Sequence, residues 1–227
     1  MTKDIVNDII DWDITNWSKT IDYWSRNIDF KDKNFKCLEL GGRKGGLSLW
    51  LAIDGHNVIC SDLEPPEKYA LELHRKYEVQ KKISYQSIDA TKIPYDNFFD
   101  IIVFKSILGG ISRNNRNELK KKTIDEIHKA LKPAGVLLFA ENIEGSFMHK
   151  FLRKKFVSWG NEWNYLKINE LDELFSSYKS VKYITVGFFG AFGRSKKQRN
   201  VLGKFDRLFE RIVPRNKRYI LIGIAEK

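Results

Sequence analysis

The chain has 227 residues, 42% hydrophobic and 30% charged, which fits one sizeable core with additions better than two domains. No run approaches the roughly 18 apolar residues of a membrane helix, and the opening Met-Thr-Lys-Asp-Ile-Val-Asn-Asp is acidic and lacks a signal-peptide core, so a cytoplasmic protein is expected. The net charge of +11 is unevenly placed: residues 1–144 hold 22 basic and 22 acidic side chains, residues 145–227 hold 18 and 7. A neutral front joined to a basic back points to an acidic partner, whether nucleic acid, anionic lipid or a phosphorylated substrate.

In chain order, residues 2–10 and 14–27 read as helices, the second with Ile14, Trp17, Ile21 and Trp24 on one face. Residues 35–40 form an apolar strand, 47–53 a helix ended by Asp54-Gly55, and 57–60 a second strand. Pro65-Pro66 starts a helix to about Tyr77; strands follow at 82–88 and 99–105, then a helix over 115–131. Lys132-Pro133-Ala134-Gly135 turns the chain into a fifth strand, 136–140. Beyond it a helix over 168–178, a strand over 181–188 and a terminal strand over 219–225 are expected. Residues 190–218, basic and aromatic with an amphipathic helix at 201–213, are too long for an ordinary loop and read as an insertion. Alternating strands and helices at this spacing imply right-handed parallel β-α-β units in three layers. Cys37 and Cys60 sit in strand-like runs with no metal-ligand spacing, so no metal is expected and both read as buried thiols.

The most informative stretch is Cys37-Leu38-Glu39-Leu40-Gly41-Gly42-Arg43-Lys44-Gly45-Gly46. A glycine turn between strand and helix lets a ligand approach bare backbone and unpaired N–H groups. Glu39, two residues before the first glycine, would repel a phosphate and suits a ligand carrying a cation.

With Ile59-Cys60-Ser61-Asp62-Leu63, Ser87-Ile88-Asp89-Ala90-Thr91, the strand Phe99 to Lys105 and the Leu131 to Val136 turn, this stretch resembles the successive motifs of class I S-adenosylmethionine-dependent methyltransferases. The resemblance covers residues 35–141 in order. It implies an α/β, three-layer Rossmann-like methyltransferase fold, with a mostly parallel seven-stranded sheet whose last strand is antiparallel. It also implies a cofactor site: Glu39 near the methionine portion, with Gly41, Gly42 and Gly45 closing around it. Asp62 would accept from both ribose hydroxyls, Leu63 pack on adenine, Asp89 and the Ala90 N–H meet the base, and Phe104 and Lys105 offer backbone near the sulfonium, the Lys105 side chain pointing away. Arg43 replaces a central glycine, so the turn is expected to avoid a left-handed conformation there. Rossmann dehydrogenases share a glycine turn and a ribose-binding acid, but Gly-x-Gly-x-x-Gly is missing.

The acceptor is less legible. His149, just past the fifth strand, is the weak candidate for a catalytic base, with a surface histidine as the plainer reading; Glu141 and Glu144 end that strand. An Asn-Pro-Pro-Tyr-like sequence is missing after the fourth strand, which disfavours nucleic acid as substrate. The chain resembles methyltransferases of bacterial polysaccharide and natural-product pathways, which implies a small-molecule or saccharide acceptor, methylated at oxygen. Phe147, Phe151, Leu152, Phe156 and Trp159, interleaved with cations, and the 190–218 insertion would suit an anionic membrane surface and a lipid-linked acceptor. Residues 1–30 are expected to form a helical lid on a single domain over 31–227, with basic aromatic insertions near 145–165 and 190–218. A nucleic-acid methyltransferase and a non-catalytic basic binding module remain the alternatives.

Overall fold

A computed structural model describes residues 1–30, 34–156 and 162–227. Trp159 and the boundary at residue 31 lie outside the described residues. Seven strands form one sheet: β1 (Lys36–Leu40), β2 (Asn57–Asp62), β3 (Ile83–Ser87), β4 (Phe99–Lys105), β5 (Leu131–Asn142), β6 (Ser180–Val186) and β7 (Ile220–Glu226). Their order is β3-β2-β1-β4-β5-β7-β6. Neighbours among β1 to β5 pair in parallel, while β7 runs antiparallel to both β5 and β6. This is the three-layer sheet with one reversed strand that the motifs imply.

Strand alternation divides the core in two. Cys37 and Val103 face a cluster containing Trp17, Trp24 and Trp50, while Leu38, Leu40 and Phe104 face one containing Phe139 and Phe175. The first cluster is covered by α1 (Lys3–Ile10), α2 (Ile14–Trp17), α3 (Lys19–Asn27), α4 (Gly46–Ile53) and α5 (Glu67–Lys76). Trp24 stacks on Trp50 with centroids 5.6 Å apart, and its indole N–H donates to the Gly223 carbonyl. The N-terminal helices are therefore part of the core on this face. The second cluster lies under α6 (Leu108–Ile111), α7 (Asn117–Ala130) and, after α8 (Phe147–Phe156), the short α9 (Leu171–Leu174).

Several boundaries differ from the sequence reading. The helix expected over 14–27 is interrupted by a turn at Ser18. That expected over 168–178 shrinks to a 3-10 turn and α9. The insertion helix, α10, runs Lys196–Phe209 rather than 201–213 because Ser195 and Gln198 form a capping box that starts it earlier. The β5 strand begins at Leu131, with Ala134 at a φ of 62°.

A buried polar knot joins the two ends of the chain. Asp206 of α10 accepts from the backbone N–H groups of Phe188, Phe189 and Gly190 at 2.7, 2.6 and 2.9 Å, and from Asn16 Nδ2 at 2.7 Å. Asn16 also reaches the Tyr219 hydroxyl, which donates to Asp13. Burial pushes Asp13 up to about 7. All four donors around Asp206 need an acceptor, and an amide in its place would turn an N–H₂ toward them. Asp206→Asn should therefore cost about 2–4 kcal/mol, read as a lower midpoint in urea unfolding; an unchanged midpoint would remove this knot from the account.

Candidate cofactor site

At the end of β1 the chain turns directly into α4. The residue before that helix, Gly45, has no side chain with which to cap it. Glu39 supplies the cap from the strand: Oε1 accepts from Leu47 N at 3.2 Å, and Oε2 from Ser48 N and Ser48 Oγ at 2.8 and 2.5 Å. The carboxylate thus meets the positive end of the helix. Burial raises its pKa, opposed by the Ser48 and Leu47 hydrogen bonds and the Lys105 charge. A residue read from sequence as a ligand contact is also the cap that sets the direction of α4.

Arg43 corrects an expectation. It does adopt a positive φ, 43°, a conformation that costs a non-glycine residue roughly 1–2 kcal/mol. Its N–H donates to Asp62 Oδ2 at 3.1 Å, so the end of β2 offsets that strain. The other Asp62 oxygen accepts from Leu63 N at 2.8 Å. Beneath the turn, His74 Nε2 donates to the Gly45 carbonyl at 2.8 Å while its Nδ1 accepts from the Tyr85 hydroxyl at 2.7 Å.

Above the turn lies α1. A Cβ on Gly46 would stand 2.1 Å from the Ile9 carbonyl oxygen, so only glycine permits this approach. Lys105 holds the same helix from the opposite wall: its Nζ donates to the Ile10 carbonyl at 2.6 Å, 5.9 Å from the Trp17 ring centroid. Burial lowers this lysine to about 8. Exposed pairs from Lys44 to Asp11 and from Lys76 to Asp8 add orientation more than stability.

These elements enclose a cavity of about 390 Å³. Glu39, Gly41, Gly42 and Arg43 form its floor; Asp8, Ile9, Asp11 and Trp12 form its roof; and Lys105, Ser106 and Ile107 close the β4 end. The far wall is Asn142, Arg113 and Trp163. Trp163 sits so close to Gly109 that a Cβ there would lie 2.0 Å from its Nε1. Asn164 N donates to the Gly109 carbonyl at 3.1 Å, and the buried Lys120 ammonium bonds Asn164 and Glu170, fixing the segment. Asn142 Nδ2 donates to Ser106 Oγ at 2.7 Å. None of this far wall was identified from sequence; the Gly109-Gly110 pair was the only local signal of a close approach.

The other expected site residues, Asp62, Leu63, Asp89 and Ala90 among them, do not line this cavity. Asp62 and Leu63 lie at the carboxyl end of β2, beside the turn, and Leu63 is 69% exposed, a bare apolar surface. Asp89 is exposed, with Oδ1 accepting from Thr91 N and Oγ1, and Ala90 is buried beside it. Gly45 does not line the cavity, nor does Phe104, whose ring is in the core near Phe139. These residues fit a nucleoside with an amino-acid tail. Each Asp62 oxygen accepts one backbone N–H and retains acceptor capacity for a ribose hydroxyl, and the adjoining cavity offers bare glycine backbone and a carboxylate.

His149 is not a surface histidine. It is 1% exposed, with Nδ1 accepting from Ser146 N at 3.0 Å, Nε2 donating to the Phe188 carbonyl at 2.9 Å and its ring stacked on Phe192. It lies outside the cavity: Nε2 serves the 188–192 turn, and Nδ1 the start of its own helix at Ser146. Glu141 is buried too: Oε1 accepts from Ile107 N and Leu108 N at 2.6 and 2.7 Å, and burial pushes it up to about 7. Glu144 pairs with Lys150.

Residues 38–139 match the sequence family described as a methyltransferase domain. No curated protein matches the chain in sequence. Among solved structures, the MccD protein is 18% identical, with a TM-score of 0.62, covering 92% of this chain and 96% of that one. The [4+2]-cyclase SpnF is also 18% identical, with a TM-score of 0.62 and coverages of 92% and 80%. Phosphoethanolamine N-methyltransferase 2 of Haemonchus contortus, in complex with S-adenosyl-L-methionine, is 16% identical at a TM-score of 0.60, covering 93% of this chain and 52% of that one. At such identities the likeness is one of fold.

Burial holds His149 down at about 4, against 6.5 for an unhindered imidazole. The neutral ring therefore stabilises the fold fully above pH 6.5, and that contribution is lost as pH falls from 6.5 to 4. Wild type should lose roughly 2–3 kcal/mol more than His149→Gln over this window, measured by urea unfolding at successive pH values; parallel curves would contradict the buried neutral assignment.

Proposed function

We propose that this chain, a class I S-adenosylmethionine-dependent methyltransferase, methylates an oxygen of a small-molecule or saccharide acceptor carried on a lipid, in the cytoplasm at the inner face of the membrane. When bound, the cofactor supplies a methyl group activated on a sulfonium. Asp62 accepts from the ribose hydroxyls and Leu63 covers the base, with Asp89 and the Ala90 N–H at its edge. The glycine turn and Glu39 receive the methionine end. Lys105 keeps α1 closed over it by holding the Ile10 carbonyl, and Trp12 in the roof excludes water.

The observation that carries the acceptor reading is the far wall. Trp163 offers an aromatic face, Asn142 and Ser106 offer an amide and a hydroxyl, and Arg113 lies with its guanidinium carbon 5.7 Å from the Trp163 centroid. Such a mixture suits a polyhydroxylated ligand with an anionic group: an indole for the C–H face, polar groups for hydroxyls and a cation for phosphate. Holding the acceptor in line can supply much of the acceleration, so no protein nucleophile is required. The N-methyltransferase of the same fold, in complex with phosphomonomethylethanolamine and S-adenosylhomocysteine, makes an amine the second acceptor to test.

Asp62→Ala should weaken S-adenosylhomocysteine binding by about 30- to 100-fold, the loss of roughly 2–3 kcal/mol of charge-assisted hydrogen bonding, measured by titration calorimetry. Unchanged affinity, or stabilisation of wild type by NAD alone, would overturn the cofactor assignment. Trp163→Ala should leave that affinity within about threefold but lower kcat/KM by about 100-fold or more toward a glycan acceptor; turnover as in wild type would remove the far wall from acceptor binding.

A further inference from the structure

We propose that the outward face of α10 is the surface by which the protein docks on an anionic membrane. The inward face is fixed: Gly203 packs on Thr15, and Asp206 lies in the knot described above. On the opposite side Val201, Phe205 and Leu208, spaced four and three apart, are 54%, 49% and 74% exposed. Ile212, just beyond the helix, continues the row at 75% exposure. A helix whose inner face is already packed has no fold-related reason to carry a second apolar row. Exposed contiguous apolar surface of this kind marks a contact with another body.

The flanking charge identifies that body. Lys197, Lys204, Arg207 and Arg211 are all exposed beside the row. Only two acids occur between residues 194 and 218. Asp206 is buried against three backbone N–H groups, and Glu210 is paired with Lys19 at 3.0 Å. The face therefore presents apolar side chains between unopposed cations, the chemistry of a helix lying in the headgroup region of an anionic leaflet. A second copy docking on the same face by two-fold symmetry would set these cations against themselves. Nucleic acid would use the cations but leave Val201, Leu208 and Ile212 without a partner. Among the described residues no helix is long and apolar enough to cross a membrane, so the contact is peripheral.

Two further features bear on this contact. Helix α8 exposes Phe147, Met148 and Phe151 beside Lys150 and Lys154 and packs, through His149 on Phe192, against the same turn as α10. The Arg199 guanidinium of α10 lies 5.6 Å from the ring centroid of Trp12, which roofs the cofactor cavity. Arg199 is on the inward side of α10, so docking through the outward side leaves the cavity roof one helix diameter, roughly 10 Å, behind the membrane surface. The inference deepens and rests on the proposed lipid-linked acceptor, but its test needs no turnover.

The test is co-sedimentation with vesicles of phosphatidylcholine alone and of phosphatidylcholine with phosphatidylglycerol. Wild type should bind the anionic vesicles at least about tenfold more tightly, with affinity falling as salt rises to about 0.5 M. The triple variant Phe205→Ser, Leu208→Ser, Ile212→Ser should lose about tenfold or more while retaining wild-type affinity for S-adenosylhomocysteine. Equal binding to the two vesicle types, or a triple variant that binds like wild type, overturns the proposal. So does a wild-type dimer in sedimentation equilibrium that the variant abolishes, or tighter binding to single-stranded RNA that the variant retains. S-adenosylhomocysteine affinity reads the cofactor site alone, so a wild-type protein that binds this cofactor product but not the anionic vesicles counts against this surface only.

Discussion

The proposed cofactor cavity depends on one buried carboxylate. Glu39 lies at the carboxyl end of a central strand, where removal from water would ordinarily keep an acid neutral, and it is held by two backbone N–H groups and a hydroxyl at the start of α4. That contact fixes the helix relative to the sheet. The same corner is crowded at its glycines: a Cβ on Gly42 would stand 2.8 Å from Cys60 Sγ and 3.2 Å from the Glu39 carboxyl, and one on Gly46 2.1 Å from the Ile9 carbonyl oxygen. The Lys105 ammonium balances the acid electrostatically and holds α1 by a helix-end carbonyl. Sheet, helix and roof are thereby brought into register by two oppositely charged side chains on adjacent strands.

The roof is coupled to the basic end of the chain by polar contacts. Asn16, Asp206, Tyr219 and Asp13 link α2, α10 and β7 in a desolvated network, where satisfied hydrogen bonds rigidify and a missing one is costly. The insertion between β6 and β7 is consequently tied to the N-terminal helices and, through Arg199 and Trp12, to the cavity. A chain that is neutral in its first two thirds and basic in its last thus sets one cation of its basic part, Arg199, against the roof of the proposed cofactor cavity.

Sequence reasoning succeeded where cause and effect are local. Strand alternation, the glycine turn and the acid ending β2 are legible because periodicity and turn chemistry operate over a few residues, and the core halves around Leu38 and Cys37 follow from them. It failed where a distant partner changes the local preference. Arg43 takes a positive φ because Asp62 receives its N–H. His149 reads as a surface residue on a basic helix, yet the 188–192 turn folds over it. Arg113, Asn142 and Trp163 meet only once α7 and the segment around Asn164 are packed together. The early start of α10 was legible in principle from Ser195 and Gln198, and was obscured by the cations between them.

The central claim is that the turn after β1, roofed by α1 and walled by Lys105, is where S-adenosylmethionine binds. Amide hydrogen exchange of the wild-type protein with and without S-adenosylhomocysteine tests it most directly. The account predicts slowed exchange at residues 42–48, at 62–64 and at 8–12, with the outward face of α10 unchanged. Protection confined to other segments, or no protection at saturating ligand, would contradict it.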